Sequence, residues 1–227
     1  MAICAGGLRE YLLAHDALPD RPLRAMVPVS IRTGEEADPW TNRVSALVVD
    51  LPTDCEDPLE RVARCRAGML DAKRLLDLVP VDELVDMTQF AAPVLTTSAV
   101  RLASRLRLAD RVAQPFNLVI SNVPGPRQPL YLAGAQLCHQ FPVSIVTDGQ
   151  GLNITLASYL DRLDFGFIVD RELVPDVWDL ADMHIAEIGR LFDASGAEWA
   201  QPPQPAVPRR GPVKQPRTHL TASIAQH

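Results

Sequence analysis

The chain has 227 residues, 47% of them hydrophobic, and a formal net charge of −6. That is length and apolar content for one large or two small soluble domains. The acidic balance, with no Lys/Arg run interleaved with aromatics, argues against nucleic acid as a partner. No stretch approaches the roughly 18 apolar residues of a membrane-spanning helix, and Arg9 and Glu10 interrupt the first apolar run, so no signal peptide is read and the cytosol is the expected compartment.

The opening run "MAICAGGLREYLLAH" reads as an amphipathic helix from its first or second residue, and Met1 has no side-chain oxygen to cap it. "LPDRP" breaks the pattern, and "LRAMVPVSI" reads as a short buried strand. After a polar loop, "RTGEEADPWTN", comes "RVSALVVDL", in which both alternating faces are largely apolar, as in a sheet covered on two sides. The next helix start is well marked. Asp57 stands at the N-cap, Pro58 at the first helical position and Glu60 at the third, with Leu59, Val62, Ala63, Met69 and Leu70 expected on the buried face. A further helical region is expected from Val81 to about Leu108, ended or kinked at Pro93.

The period then switches to two. "FNLVISNV" is read as a strand, "PGPRQ" as its turn and "LYLAGAQLCHQ" as the next strand. "FPVSIVT" and "LNITLASYL" flank the turn "DGQG", and "DRLD" leads into "FGFIVD". A last helix is expected from Asp176 as N-cap to Gly196 just past its end, with Val177, Leu180, Ala181, His184, Ile188 and Leu191 on one face. From Gly196 onward prolines crowd in and apolar periodicity vanishes, so residues 196–227 are read as a disordered Pro-rich tail. It is basic through Arg209, Arg210, Lys214 and Arg217, and a weak contact with an anionic lipid surface is one use for it. Residues 1–195 are expected to form one α/β lobe, a mixed sheet with helices packed on it.

Chemistry is sparse. Cys4, Cys55, Cys65 and Cys138 lack C-x-x-C spacing and histidines at zinc-ligand distance, so free thiols and no metal site are expected. None of the five histidines has a catalytic setting: His184 falls on an apolar face, His15 at a helix end, His139 after a strand, and His219 and His227 in the tail. There is no G-x-S-x-G elbow and no glycine-rich phosphate loop. What remains is "FNLVISNVPGPRQPLYL". An apolar strand ends in Ser121-Asn122 and runs into Pro124-Gly125-Pro126, where two fixed φ angles flank one permissive glycine. Read plainly, this is a rigid connection; read for function, two short polar groups at the edge of an apolar wall suit a long apolar ligand with a polar head.

Four segments, "PDRPLRAMVPVSIR", "TNRVSALVVDLPTDCEDPLERV", "NLVISNVPGPRQPLYLAGAQL" and "LDFGFIVDRELVPDVWDLADMHIAEI", together resemble the C-terminal domain of the bacterial wax ester synthase/diacylglycerol acyltransferase family. The resemblance covers nearly all of residues 1–194. It implies the C-terminal lobe of a chloramphenicol acetyltransferase-like, coenzyme A-dependent acyltransferase fold. Acyl-CoA is then a substrate, no cofactor is needed, and transfer to diacylglycerol takes place between two lobes. The family's HHxxxDG motif, whose second histidine is the general base, belongs to the other lobe. The nearest string here sets Val143-Ser144 before Asp148-Gly149, so no catalytic residue is assigned and the isolated chain is expected to be inactive. The implied partner is an N-terminal acyltransferase lobe on another chain, and the implied location cytoplasmic, with peripheral contact at a membrane or lipid body. In the family the first helix is internal to a longer chain, preceded by an Asn-Asp pair, so the uncapped start is read as a cut edge. Asn117, Ser121, Asn122, Pro124, Gly125 and Pro126 are the candidate substrate-binding residues, and Asp164–Phe167 resembles a fold-shaping "DFG" segment. An inactive lipid-binding or remnant lobe, and a wax ester synthase using fatty alcohol, stay open as alternatives.

Overall fold

The computed structural model describes residues 1–30, 44–77, 115–147 and 149–197. In chain order these are α1 (Ala2–Ala14), β1 (Leu23–Ser30), β2 (Val44–Leu51), α2 (Pro58–Asp77), β3 (Leu118–Pro124), β4 (Tyr131–Leu132), β5 (Ala135–Gln136), β6 (Leu152–Tyr159), β7 (Arg162–Val169) and α3 (Val177–Ser195). The polar loop after β1, the helical region expected over 81–108 and nearly all of the tail lie outside the described residues.

Five strands form one mixed sheet in the order β2-β1-β3-β6-β7, with β1, β3 and β6 parallel to one another and β2 and β7 antiparallel at the two edges. Period-two patterning gives each strand one apolar face, and register stacks these faces. Leu23, Ala25 and Val27 lie beside Leu51, Val49 and Leu47, and Ile120 beside Ile154 and Phe167. Onto this face α1 lays Cys4, Ala5, Leu8, Tyr11 and Leu12, the i, i+1, i+4, i+7, i+8 stripe of a helix buried on one side, and α3 adds Leu180. The β2 expectation is corrected here. Leu47, Val49 and Leu51 are buried, but Ala46 and Val48 are exposed, because β2 is an edge strand and the helices cover one face of the sheet.

The glycine pair in α1 has a packing cause. A Cβ on Gly6 would collide with the Glu187 carboxylate and the Arg61 guanidinium, and one on Gly7 with the His184 imidazole. A helix with a Gly-Gly break is weaker by roughly 1 kcal/mol per glycine, and here that loss is offset by letting α1 approach α3 closely. Gly7→Ala is expected to lower stability by about 1–3 kcal/mol despite the better helix propensity of alanine, because the ring it strikes is walled in. A thermal melt showing an unchanged or raised Tm would remove this account.

Helix α2 starts as expected. The Asp57 carboxylate accepts the Glu60 N–H at 2.7 Å, and Pro58 opens the first turn. Its buried side differs from expectation. Leu59, Val62, Ala63 and Leu70 are exposed, while Arg61 and Cys65 are buried and Met69, Ala72 and Leu76 lean on the core. The cause is Arg61. Its Nε and Nη2 donate to the Cys55 carbonyl at 3.2 and 2.9 Å, Nη2 also to the Glu56 carbonyl at 3.0 Å, and Nη1 pairs with the Glu187 carboxylate. A guanidinium with that many partners can be buried where an unpaired one cannot.

On α3 the same pairing puts Glu187, wholly buried, on the inner face, whereas the neighbouring Ile188 is only half-buried. Asp176 stands at the N-cap position without capping. Its carboxylate instead accepts the Tyr11 hydroxyl and contacts His15 Nε2 at 3.1 Å, tying the end of α1 to the start of α3. Gly196 closes the helix at φ 66°, the left-handed conformation a glycine cap supplies.

Two strand expectations in the second half are corrected. "LYLAGAQLCHQ" is a tight hairpin, β4 and β5, turning through Ala133 and Gly134 at φ 49° and 85°. "FPVSIVT" has no strand partner among the described residues. The β6–β7 turn is shorter than "DRLD", taking Leu160 at φ 52° and Asp161.

Candidate functional site

Strand β3 is buried from Leu118 to Ile120, half-buried at Ser121 and exposed from Asn122 to Pro124. Its carboxyl end therefore stands clear of the helices that cover its start. In sheets with parallel neighbours, ligands gather outside the carboxyl ends of the strands, and β3 and β6 end together, Pro124 opposite Ser158.

Five of the six candidate residues occupy that end in one run. Ser121 lies across from Thr155 and shares its face of the sheet, the one away from the helices. Asn122 and Pro124 are exposed. The turn and the residues after it, Gly125 to Leu130, are clamped to the end of β6 and the turn that follows it by three consecutive residues, Ser158 to Leu160. The Gly125 N–H donates to Ser158 Oγ at 3.1 Å, the Leu160 N–H to the Pro126 carbonyl at 3.2 Å, and the Leu130 N–H to the Tyr159 hydroxyl at 2.8 Å. Gly125 is required there, because a Cβ would collide with the Ser158 carbonyl. The sixth candidate, Asn117, sits at the other end of the strand, roughly 13 Å from Ser121 at 3.3 Å per residue. It binds β1 instead, its Oδ1 accepting the Arg24 N–H at 2.7 Å and its N–H donating to the Arg24 carbonyl at 2.8 Å.

Two groups beside this run were not picked out from sequence. Asn153 and Thr155, buried on β6, share the Ser121 face, and the Thr155 hydroxyl donates to Asn153 Oδ1 at 2.9 Å. Their alternation in "LNITL" marks a polar stripe, but nothing local says what it lies next to. The second group is centred on buried Asp164, which accepts the Gln140 N–H at 2.7 Å and contacts His139 Nδ1 at 3.0 Å. Arg162 donates to His139 Nε2 at 3.0 Å. With the Pro142 carbonyl against the Cα of Gly166, this holds residues 139–142 across β7.

The chemistry open to the β3 end is binding. Ser121 and Thr155, beside apolar Val123 on one face, and Asn122 on the other offer hydrogen-bond donors and acceptors, the turn carbonyls accept, and none of them abstracts a proton at neutral pH. Both nitrogens of His139 are engaged. His184 is on the opposite, helix-covered side, its Nδ1–H donating to the Leu180 carbonyl at 2.7 Å, and burial lowers its pKa to about 4. Among the described residues no cluster of metal-ligating side chains and no helix long and apolar enough to cross a membrane is found.

Comparison with known proteins gives one answer. The family model described as the WS/DGAT C-terminal domain matches residues 40–191. The O-acyltransferase WSD of Acinetobacter baylyi is 41% identical over 193 residues, 85% of this chain and 40% of that protein. A putative diacylglycerol O-acyltransferase of Mycobacterium tuberculosis is 45% identical over 177 residues, 78% of this chain and 38% of its own. Among solved structures, a wax ester synthase/diacylglycerol acyltransferase from Marinobacter aquaeolei VT8 superimposes with a TM-score of 0.67 at 36% identity, covering 86% of this chain and 42% of the other. The chain thus spans about two fifths of the length of the relatives it matches.

Proposed function

We propose, for a chain that belongs to the wax ester synthase/diacylglycerol acyltransferase C-terminal domain family, that it supplies one lobe of an O-acyltransferase moving an acyl group from acyl-CoA to diacylglycerol. The other lobe, bearing an HHxxxDG motif, is an N-terminal acyltransferase lobe with which this one pairs. In the reaction the acceptor hydroxyl gives its proton to that lobe's histidine. The oxygen forms a bond to the thioester carbonyl, the carbon–sulfur bond breaks, and the proton leaves with the coenzyme A thiol. This chain contributes the β3 end, with Ser121, Asn122 and the clamped turn beside the acyl chain, pantetheine arm or acceptor. Contact with a lipid surface, where both substrates reside, is part of the reading.

The observation that carries it is the segment after the hairpin. Phe141, Val143 and Ile145 are 57, 83 and 70% exposed at alternate positions of a stretch that is neither helix nor paired strand. An alternating row of exposed apolar side chains with no strand beside it among the described residues is a surface built to be covered, and a second lobe bearing a sheet edge covers it.

The test is reconstitution. Residues 1–227, a separately expressed HHxxxDG-bearing lobe from a relative, and both together are given labelled palmitoyl-CoA with diolein or hexadecanol. Triacylglycerol is expected only from the pair, since lacking the base removes about 10²–10⁴-fold of rate along with the positioning. Triacylglycerol from this chain alone, or none from the pair, overturns the reading; wax ester in its place moves the acceptor to a fatty alcohol. In an active pair, Asn122→Leu is expected to lower kcat/KM about tenfold, and unchanged kinetics would take Asn122 out of the site.

A further inference from the structure

From Gln128 to Thr147 the chain carries no Asp, Glu, Lys or Arg, in a protein where 22% of residues are charged. This uncharged run is not core. Its first part is the β4–β5 hairpin, in which every residue from Tyr131 to Gln136 is exposed, Leu132 at 83% and Tyr131 at 62%, and whose two strands pair, among the described residues, only with each other.

We propose that the outer part of the hairpin, Tyr131 and Leu132 with the Ala133-Gly134 turn, inserts into the surface of a phospholipid bilayer. The argument is geometric and chemical. A protein partner would have to enclose a finger two strands wide on all sides, whereas fluid hydrocarbon closes around any shape. The ladder pairs Tyr131 with Gln136 and Leu132 with Ala135, and the Leu137 N–H donates to the Leu130 carbonyl at 2.9 Å. Much of the finger's backbone is therefore satisfied before it leaves water. Tyrosine is suited to such an interface, with an apolar ring and a polar tip. Two strands and their turn reach roughly 10 Å at about 3.4 Å per residue, the depth of the headgroup and upper acyl region.

The root is rigid and charged where the tip is neither. The Tyr159 and Ser158 clamps fix residues 125–130 to the sheet, and Arg127 enters the finger while Arg162, beside His139, stands where it leaves, with two acids near it, Asp161 in the β6–β7 turn and buried Asp164 on the other side of His139. Arginines at that level face anionic headgroups when the tip is inserted. The adjoining row, Phe141 to Ile145, differs. It is an unpaired row with alternating exposure rather than a closed finger, which is why it is assigned to the partner lobe.

This extends the reading above to a surface, and its test uses no catalysis. Residues 1–227 are floated with vesicles of phosphatidylcholine, with and without a minor fraction of phosphatidylglycerol. The chain is expected to float, and Leu132→Asp to reduce the bound fraction about tenfold, while Leu75→Asp, equally surface-lying on α2, leaves it unchanged. Arg127→Gln is expected to weaken binding a few-fold on the anionic vesicles only. A wild-type chain that stays with the aqueous phase, or a Leu132→Asp chain that floats as well as wild type, overturns the proposal. So does a Leu132→Asp chain that floats normally but no longer copurifies with the HHxxxDG lobe, which would make the hairpin an interlobe contact.

Discussion

Glu187→Ala is expected to destabilise the chain by about 3–5 kcal/mol, a large fraction of the roughly 5–15 kcal/mol that holds an ordinary domain together. Side-chain exposure is 3% for Arg61 and 1% for Glu187. Deleting the carboxylate leaves the Arg61 charge buried with only carbonyls around it, and strips Arg190 Nε of its 2.8 Å acceptor. The carbonyls of Cys55 and Glu56 keep their donors, so the loss comes from the uncompensated charge rather than from the loop. The pair as a whole contributes much less than that figure, because both ions were taken out of water to make it. Replacing both partners, Arg61→Met with Glu187→Leu, is therefore expected to recover most of the loss even though Arg61's bonds to the loop go with it. Urea denaturation of the three variants decides. A single variant that costs under 1 kcal/mol would show that the pair is solvated, and a double no better than the single would show that the loss lies in the hydrogen bonds removed rather than in the uncompensated charge.

The second large effect is on pH. His184 is buried in an apolar setting, edge-on to the rings of Phe167 and Phe165 at 4.9 and 6.4 Å between centroids, with Gly7 against its face. Desolvation holds its pKa at about 4, against 6.5 when unfolded. Above 6.5 both states are neutral and stability is full. As pH falls from 6.5 toward 4 the unfolded chain takes up a proton that the folded one does not, so stability drops by about 1.4 kcal/mol per unit, and about 3 kcal/mol is gone by pH 4. Carboxylates titrate in the same window, so the informative quantity is the difference from His184→Gln. The slope of unfolding free energy against pH between 4.5 and 6 is expected to flatten by close to one proton. An unchanged slope would mean that the ring ionises freely in the folded state.

The elements legible from sequence were those whose apolar period agreed with their burial: α1, β1, β3, β6 and β7, together with the Asp57 start of α2 and the Gly196 stop of α3. The misread helix faces share one cause, which is that a charged residue reads as surface until its partner is known. Arg61 and Glu187 lie on helices more than a hundred residues apart in sequence, so the inner faces of α2 and α3 were misassigned toward Leu59, Val62 and Ile188. The run Ser121–Pro126 stood out because Pro-Gly-Pro fixes backbone angles locally. The Asn153–Thr155 stripe beside it, and Asp164 holding His139 and Gln140, depend on strand neighbours that only the sheet order reveals. Nor does a local pattern tell a paired strand from the uncharged hairpin and its trailing row.

The parallel contact of β1 with β3 has a kinetic meaning. Arg24 and Asn117, whose paired hydrogen bonds extend that contact by one residue, are 93 positions apart in the chain. Closing a loop of that length costs about 4 kcal/mol of chain entropy before the first bond of β3 repays any of it. The β1–β2 hairpin has a far shorter closure and forms ahead of it. Until β3 arrives, the inner edge of β1 is an open row of N–H and C=O groups beside Ala25 and Val27, able to capture another copy of the same hairpin. Refolding yield should therefore fall as protein concentration rises, and synthesis on the ribosome, which presents β1 and β2 long before residue 118, prolongs that exposure.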